Sequence, residues 1–210
     1  MIIMPRTARI TAPGLYYHIF NRGINRMVIF RKGADYLRFL QKLAVSRTRF
    51  DWIIYSYCLL PNHYHLQVKA REDHLAKILS SLQASHSGYF NRKYKRTGSV
   101  LQGRFRSIIV QKEPYHLQLS KYIHLNPVKA KLVNVPADYP YSSYSEIIGQ
   151  PKHPYRVIDK RAIKSLTGSL SEEAIANYQQ FIEEKDELGY DPQLAVRGVV
   201  GSNRFSSQFE

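Results

Sequence analysis

Tyr57-Cys58-Leu59-Leu60-Pro61-Asn62-His63-Tyr64-His65-Leu66-Gln67-Val68 reads as the end of one β-strand, a Pro-Asn link and a second strand. Successive strand side chains point to opposite faces, so His63, His65 and Gln67 share one face and Tyr64, Leu66 and Val68 the other. The apolar face packs on a core. The polar face, with two imidazoles one residue apart, can hold a divalent metal with little rearrangement. A His-x-His pair alone is a weak signal, because many such pairs are ordinary surface or core histidines.

The flanking sequence supplies the rest of a fold. Leu15 to Phe20 is short, aromatic and β-prone, and it ends in the turn Asn21-Arg22-Gly23-Ile24-Asn25-Arg26. Asp35 is placed as the N-cap of a helix through about Thr48, with Tyr36, Leu37, Phe39, Leu40, Leu43 and Ala44 as its apolar stripe. Trp52 to Leu60 is a strand leading into the histidine strand. A second helix is predicted from His74 to about Tyr94, with Leu75, Ile78, Leu79, Leu82 and Tyr89 near one face. Phe105 to Gln111 is a further strand. Pro114 suits the first turn of a third helix, which Asn126-Pro127 should end, since a residue before proline is pushed out of the α region. The order β-α-β-β-α-β-α predicts an α+β fold, a ferredoxin-like palm. In that palm an antiparallel sheet carries its helices on one face, and the other face, with the histidines, lies open.

Composition narrows the function. The chain has 210 residues, 44% of them hydrophobic, enough for a substantial core. No apolar run approaches the roughly 18 residues of a membrane span, and the N-terminus is too short in its apolar part for a secretory signal. The single cysteine, Cys58, excludes an intramolecular disulfide framework and reads as a small buried hydrophobe. A cytoplasmic protein with no membrane partner is expected. The net charge of +15 is unevenly spread: residues 1–150 hold 23 Lys/Arg against 7 Asp/Glu, and residues 151–210 hold 8 against 9. The chain therefore divides into a basic domain, 1–150, and a C-terminal extension, 151–210, mainly helical or irregular. In the extension, Ser169-Leu170-Ser171-Glu172 starts an acidic helix across 172–188 and Gly189 stops it. The last twenty residues look loosely structured. Basic charge confined to one region points to a polyanion, most simply nucleic acid. Aromatics interleave with it in Tyr89-Phe90-Asn91-Arg92-Lys93-Tyr94-Lys95-Arg96 and Gly103-Arg104-Phe105-Arg106, which suits unpaired strands.

The third helix adds a second group. Gln118, Tyr122 and Asn126 are four apart and form one polar-tipped line. On spacing alone, Tyr122 also reads as an ordinary half-buried helix tyrosine.

Taken together, Pro61-Asn62-His63-Tyr64-His65-Leu66 and Tyr122-Ile123-His124-Leu125-Asn126-Pro127-Val128-Lys129-Ala130 resemble the single-tyrosine transposases of the HUH nuclease superfamily. Within these the chain is most similar to the REP-associated tyrosine transposases. The resemblance spans about residues 9–148 and includes Tyr17-His18-Ile19-Phe20-Asn21-Arg22-Gly23 and Leu101-Gln102-Gly103-Arg104-Phe105. It implies a metal-dependent endonuclease and strand transferase acting on single-stranded DNA. His63 and His65 would hold one Mg²⁺ or Mn²⁺, and Tyr122 would be the catalytic nucleophile, leaving a 5′-phosphotyrosine link and a free 3′-hydroxyl. Compact members of the superfamily place a glutamine one turn after the tyrosine as third metal ligand. Here that position is Asn126, a methylene shorter, with Gln118 as an outside alternative, while His124 points off the Tyr122 face. The REP-associated branch implies hairpin DNA as substrate and a monomer rather than a helix-exchanging dimer. Arg22, Asn25, Arg26, Arg92, Lys93, Lys95, Arg96, Arg104 and Arg106 are the expected nucleic-acid-binding residues.

Two other readings compete: a catalytically silent module that grips hairpin DNA or RNA, and a metal-dependent hydrolase using the histidines alone. A binder would need no such trio as His63, His65 and Tyr122, which favours the enzyme. The acidic stretch 183–187 reads as a solvated helix face, or alternatively as a shield over the basic cleft.

Overall fold

Five strands, β1 (Tyr16–Arg22), β2 (Ile53–Leu60), β3 (His63–Lys69), β4 (Arg106–Val110) and β5 (Val199–Val200), form one sheet in the order β2-β3-β1-β4-β5. All neighbours are antiparallel except β4 and β5, which are parallel. This computed structural model describes residues 14–50, 52–69, 75–184, 190–192, 195, 198–206 and 208. His74, residues 185–188 of the expected acidic helix and its stop Gly189 lie outside them. The fold is α+β, and its first seven elements come in the predicted order. Among the described residues no helix is long and apolar enough to cross a membrane.

The alternation of the strands builds two cores. On one face Tyr17, Ile19, Tyr64, Leu66 and Val68 pack with α1 (Gly33–Phe50) and α2 (Leu75–Lys93) through Phe39, Leu40, Leu43, Ile78 and Leu79. The opposite face is not open throughout, as a palm with helices on one face would leave it. There α3 (Lys112–Lys129) sets Leu119 and Ile123 against Cys58, Leu60, Ile108 and Val110. The β2–β3 link is a two-residue turn whose carbonyls serve as anchors. Ile29 and Phe30 donate backbone N–H bonds to the Pro61 carbonyl at 2.7 and 3.0 Å, and Gly23 donates to that of Asn62 at 2.8 Å. Gly23 is needed here, because a Cβ would stand 2.1 Å from the Met27 carbonyl oxygen.

Two helix ends depart from expectation. Asp35 lies in the first turn of α1 rather than at its cap, and its buried carboxylate turns back to accept N–H bonds from Arg31 and Lys32. More consequentially, α3 does not stop at Asn126 but continues through Pro127 to Lys129. Proline in a last turn forfeits one backbone bond. The Asn126 amide, meanwhile, donates to the Tyr122 carbonyl at 2.7 Å, and Ala130 N–H closes the turn on the Asn126 carbonyl at 2.9 Å.

The extension belongs to the same core. After α4 (Tyr144–Ile147), α5 (Lys160–Thr167) is capped by Asp159 and α6 (Glu172–Glu183) by Ser171. Val157, Ala162, Leu166, Tyr178 and Ile182 are buried in the cluster that holds α1 and α2. Composition changes near residue 150, but packing does not. The C-terminal stretch, expected to be loose, contributes β5 and a four-residue helix, α7 (Asn203–Ser206). Polar ties fasten α3 to these layers. His124 Nε2 lies 2.8 Å from Ser143 Oγ, and Tyr178 Oη lies 3.2 Å from His124 Nδ1 and 2.6 Å from Ser120 Oγ. Gln67, on β3, donates to His116 Nδ1 and to the His116 carbonyl at 2.9 and 2.8 Å.

Burial pushes His18 and His124 down to about 3, and His86 and His116 to about 4, from 6.5. The unfolded chain takes up these protons below about pH 6.5 and the folded chain does not until pH 3–4. Stability is therefore full above that upper value and falls as pH drops through the window. The expected cost is on the order of 1 kcal/mol per pH unit for each histidine. Glu146, whose carboxyl burial raises, opposes this as a single group. Thermal melts at steps from about pH 7 to about pH 5 should show a monotonic loss of melting temperature. A flat profile would contradict buried neutral imidazoles.

Candidate active site

Antiparallel pairing sets Arg22 opposite His63, Phe20 opposite His65 and His18 opposite Gln67, and β4 adds Arg106 opposite Phe20. All of these side chains lie on one sheet face. Across that face comes Tyr122 of α3, its ring centroid 5.6 Å from His65 and 5.7 Å from His18. The two motif histidines stand 5.0 Å apart with rings nearly perpendicular. A cleft of about 510 Å³ collects His63, His65, Tyr122 and Asn126 together with Arg22, Arg26, Arg104 and Arg106, and Asn62 and Gln102 complete its polar wall.

Hydrogen bonds on the far side of each ligand candidate decide what it presents to the cleft. His63 Nδ1 lies 2.6 Å from Asn62 Oδ1. A carbonyl oxygen can only accept, so His63 carries its proton on Nδ1 and keeps the Nε2 lone pair. His65 Nδ1 is engaged by His18 Nε2 at 2.8 Å, which leaves its Nε2 for the cleft. The Asn126 amide nitrogen is taken by the Tyr122 carbonyl, leaving Oδ1 as a neutral acceptor. Burial, with Arg22 nearby, lowers His63; burial, with His18 and His63 nearby, lowers His65 far more. Both imidazoles are thus held neutral: His63 offers its Nε2 lone pair, and His65 offers its own when its proton sits on Nδ1. Two imidazole nitrogens and an amide oxygen suit a divalent ion that also takes phosphate oxygens. Among the described residues no group of three His, Cys, Asp or Glu gathers to hold a metal, so an ion bound here would draw on this mixed set.

Tyr122 is held above the ordinary phenol value, first by burial, partly offset by Asn126, with Asp191 adding to the rise. It is a neutral phenol unless a nearby cation offsets that rise. Lys129, which sequence reasoning had not singled out, places its ammonium 5.3 Å from the Tyr122 ring centroid.

The expected basic residues separate. Arg22, Arg26, Arg104 and Arg106 line the cleft, and exposed Asn25, next to Arg26 in sequence and at a left-handed φ of 50°, is not among the residues that line it. Arg92, Lys93, Lys95 and Arg96 lie at and beyond the end of α2, outside the cleft walls. Lys93 Nζ is 2.5 Å from Asp35 Oδ1, and Arg96 donates to Met27 Sδ. Gln118 does not reach the cleft, and His124 faces away from it. Three other contributors went unread: His18, Tyr190 and Gln102. Strand alternation places His18 with His63 and His65 once β1 and β3 are known to pair. No spacing rule signals Tyr190, which arrives from beyond α6.

Residues 11–126 match the family model described as "Transposase IS200 like". Over 98 residues the chain is 30% identical to a protein from Haemophilus influenzae described as a REP-associated tyrosine transposase. That stretch is 41% of this chain and 56% of the relative, so the chain spans about half the length of the curated relative it matches. A solved REP-associated tyrosine transposase bound to a REP hairpin superposes with a TM-score of 0.56 at 19% identity, covering 74% of this chain and 94% of that one. This second likeness is one of fold.

The Asp35 carboxylate is fully buried. Burial acts to raise it, but Lys93, Tyr94 and the Lys32 and Arg31 amides together hold it well below the usual carboxylate range. Replacing Lys93 with Met should therefore lower the melting temperature by several degrees, because a buried charge loses its counter-ion. An unchanged melt would return Lys93 to the pool of uncommitted surface cations.

Proposed function

The chain belongs to the IS200-like transposase family, and we propose from that premise that it cleaves and rejoins single-stranded DNA, using Tyr122 as its nucleophile. The observation that carries this reading is the approach of Tyr122 to His65 across a cleft walled by arginines. A phenol, two neutral imidazoles and a basic surface meet at one place, which suits attack on a phosphodiester.

In the proposed step the phenolic oxygen of Tyr122 attacks phosphorus and loses its proton to solvent. The bond from phosphorus to the 3′-oxygen breaks, and that oxygen takes up a proton as a free 3′-hydroxyl. The 5′-phosphate stays on the tyrosine, so the bond energy is kept and an incoming 3′-hydroxyl can reverse the reaction. His63, His65 and Asn126 would hold a divalent ion, Mg²⁺ or Mn²⁺, and the chemistry it supplies there is Lewis-acid polarisation of a phosphate oxygen. Arg22, Arg26, Arg104 and Arg106 would bind backbone phosphates and hold the strand across the Tyr122 ring. Lys129 favours the phenolate as it forms. REP-type hairpin DNA is the proposed substrate, following the family relatives. A monomer is the proposed working unit, following the REP-associated resemblance.

Incubating the protein with labelled hairpin oligonucleotide and Mn²⁺, followed by a denaturing gel, tests this directly. A protein–DNA adduct is expected, absent with chelator, with Tyr122→Phe and with His63→Ala. Binding without adduct would favour the silent hairpin binder, and cleavage persisting in Tyr122→Phe would mean that another nucleophile acts. In binding assays, Arg22→Gln combined with Arg104→Gln should reduce the log–log salt slope by about 0.7 for each phosphate no longer neutralised.

A further inference from the structure

Behind His65, away from the cleft, three side chains stand in series. His65 Nδ1 lies 2.8 Å from His18 Nε2, and His18 Nδ1 lies 3.0 Å from Tyr190 Oη. All three are buried: His18 is 0% exposed, Tyr190 4% and His65 5%. They come from β1, from the stretch after α6 and from β3 respectively, so two strands and the C-terminal extension meet here. Tyr190 lies outside the family-matched residues 11–126. Its ring also packs edge-on against Tyr122, with centroids 5.4 Å apart, and against His18 at the same distance.

A neutral imidazole offers one donor and one acceptor, so the series has two self-consistent arrangements. In the first, Tyr190 donates to His18 Nδ1 and His18 Nε2–H donates to His65 Nδ1. His65 then carries its proton on Nε2 and presents no lone pair to the cleft. In the second, His65 Nδ1–H donates to His18 Nε2, and His18 Nδ1–H donates to the Tyr190 oxygen. His65 Nε2 is then free to coordinate. The Tyr190 hydroxyl can both give and accept, so it can close either arrangement. A phenylalanine at 190 could not close the second arrangement, because His18 Nδ1–H would lose its acceptor.

We propose that His18 and Tyr190 are positioning residues that hold His65 in its metal-ligating tautomer, and that the C-terminal extension thereby completes the catalytic centre. The relay rests on the proposed function, since it presupposes that His65 is a ligand. The partners behind a ligating histidine fix its tautomer and orientation, and losing one typically weakens metal binding about 10- to 100-fold. Tyr190 has a second effect through its edge contact, which limits how far the Tyr122 ring can swing.

The test is Mn²⁺ uptake by the full chain without DNA, followed by calorimetry or by the loss of the free-ion electron paramagnetic resonance signal. His18→Leu, which keeps bulk but removes the acceptor, should weaken uptake about 10- to 100-fold. His18→Gln, which restores an amide oxygen near the Nε2 position, should recover most of it. A merely space-filling His18 would not distinguish these two. Tyr190→Phe should weaken uptake several-fold while its melt stays close to that of the unmodified chain. Wild-type affinity in folded His18→Leu and Tyr190→Phe would overturn the relay, and should His18→Leu fail to fold, Tyr190→Phe and His18→Gln decide it. If the unmodified chain takes up no Mn²⁺ that His63→Ala abolishes, the proposed metal centre fails first and the relay with it.

Discussion

The register of β1 against β3 is the constraint on which the rest of the site depends. Pairing Phe20 with His65 and Arg22 with His63 puts a basic residue and an aromatic beside the two imidazoles, and brings His18 within reach of His65. Because strand side chains alternate, a slip of one residue would send every one of these groups to the other face. That slip would also expose Tyr17, Ile19, Leu66 and Val68, which are buried with α1 and α2. The apolar core thus fixes the register, and the register fixes the site. The turn at Pro61-Asn62 reinforces it, with three backbone N–H donors from the loop after β1 closing on its two carbonyls.

Tyr122, the proposed nucleophile, depends on a second set of restraints. Tyr122 sits on α3, which crosses the histidine face and is held there by more than apolar contact. Gln67 grips its first half through His116, and Ser120 and His124 tie its far side to Tyr178 and Ser143. Buried polar ties of this kind are costly when half-made and specific when complete. They fix how α3 docks on the sheet, and with it the position of the Tyr122 ring over the cleft. Tyr178 of α6 belongs both to the core shared with α1 and α2 and to the anchorage of α3.

Much of this was legible in the sequence, for identifiable reasons. Period-two and helical patterns showed the first seven elements because each element has one buried face. The His63/His65 pair and the Gln118-Tyr122-Asn126 line were visible as spacing, although only Tyr122 and Asn126 of that line reach the cleft. Pro127 misled, because the steric rule for the residue before proline is local, while the Asn126 side chain and the closing turn carry α3 onward. The basic cluster after Tyr89 lies outside the cleft, and one of its members is committed elsewhere. Lys93 answers a buried carboxylate on another helix, and nothing near it in sequence announces that. β5 is two residues long, too short for any periodicity, and it exists because β4 offers it an edge. His18 and Tyr190 gain meaning only once β1, β3 and the C-terminal stretch are brought together.

The central claim is that one tyrosine of this chain, out of sixteen, becomes covalently joined to DNA. Mass mapping of the trapped adduct after tryptic digestion tests it most directly. Cleavage after Lys121 and Lys129 releases the peptide from Tyr122 to Lys129, which contains a single tyrosine. The nucleotide remnant is expected on that peptide, joined through a phosphodiester to Tyr122. A remnant on any other tyrosine, or a cleaved product with no tyrosine modified, would contradict it.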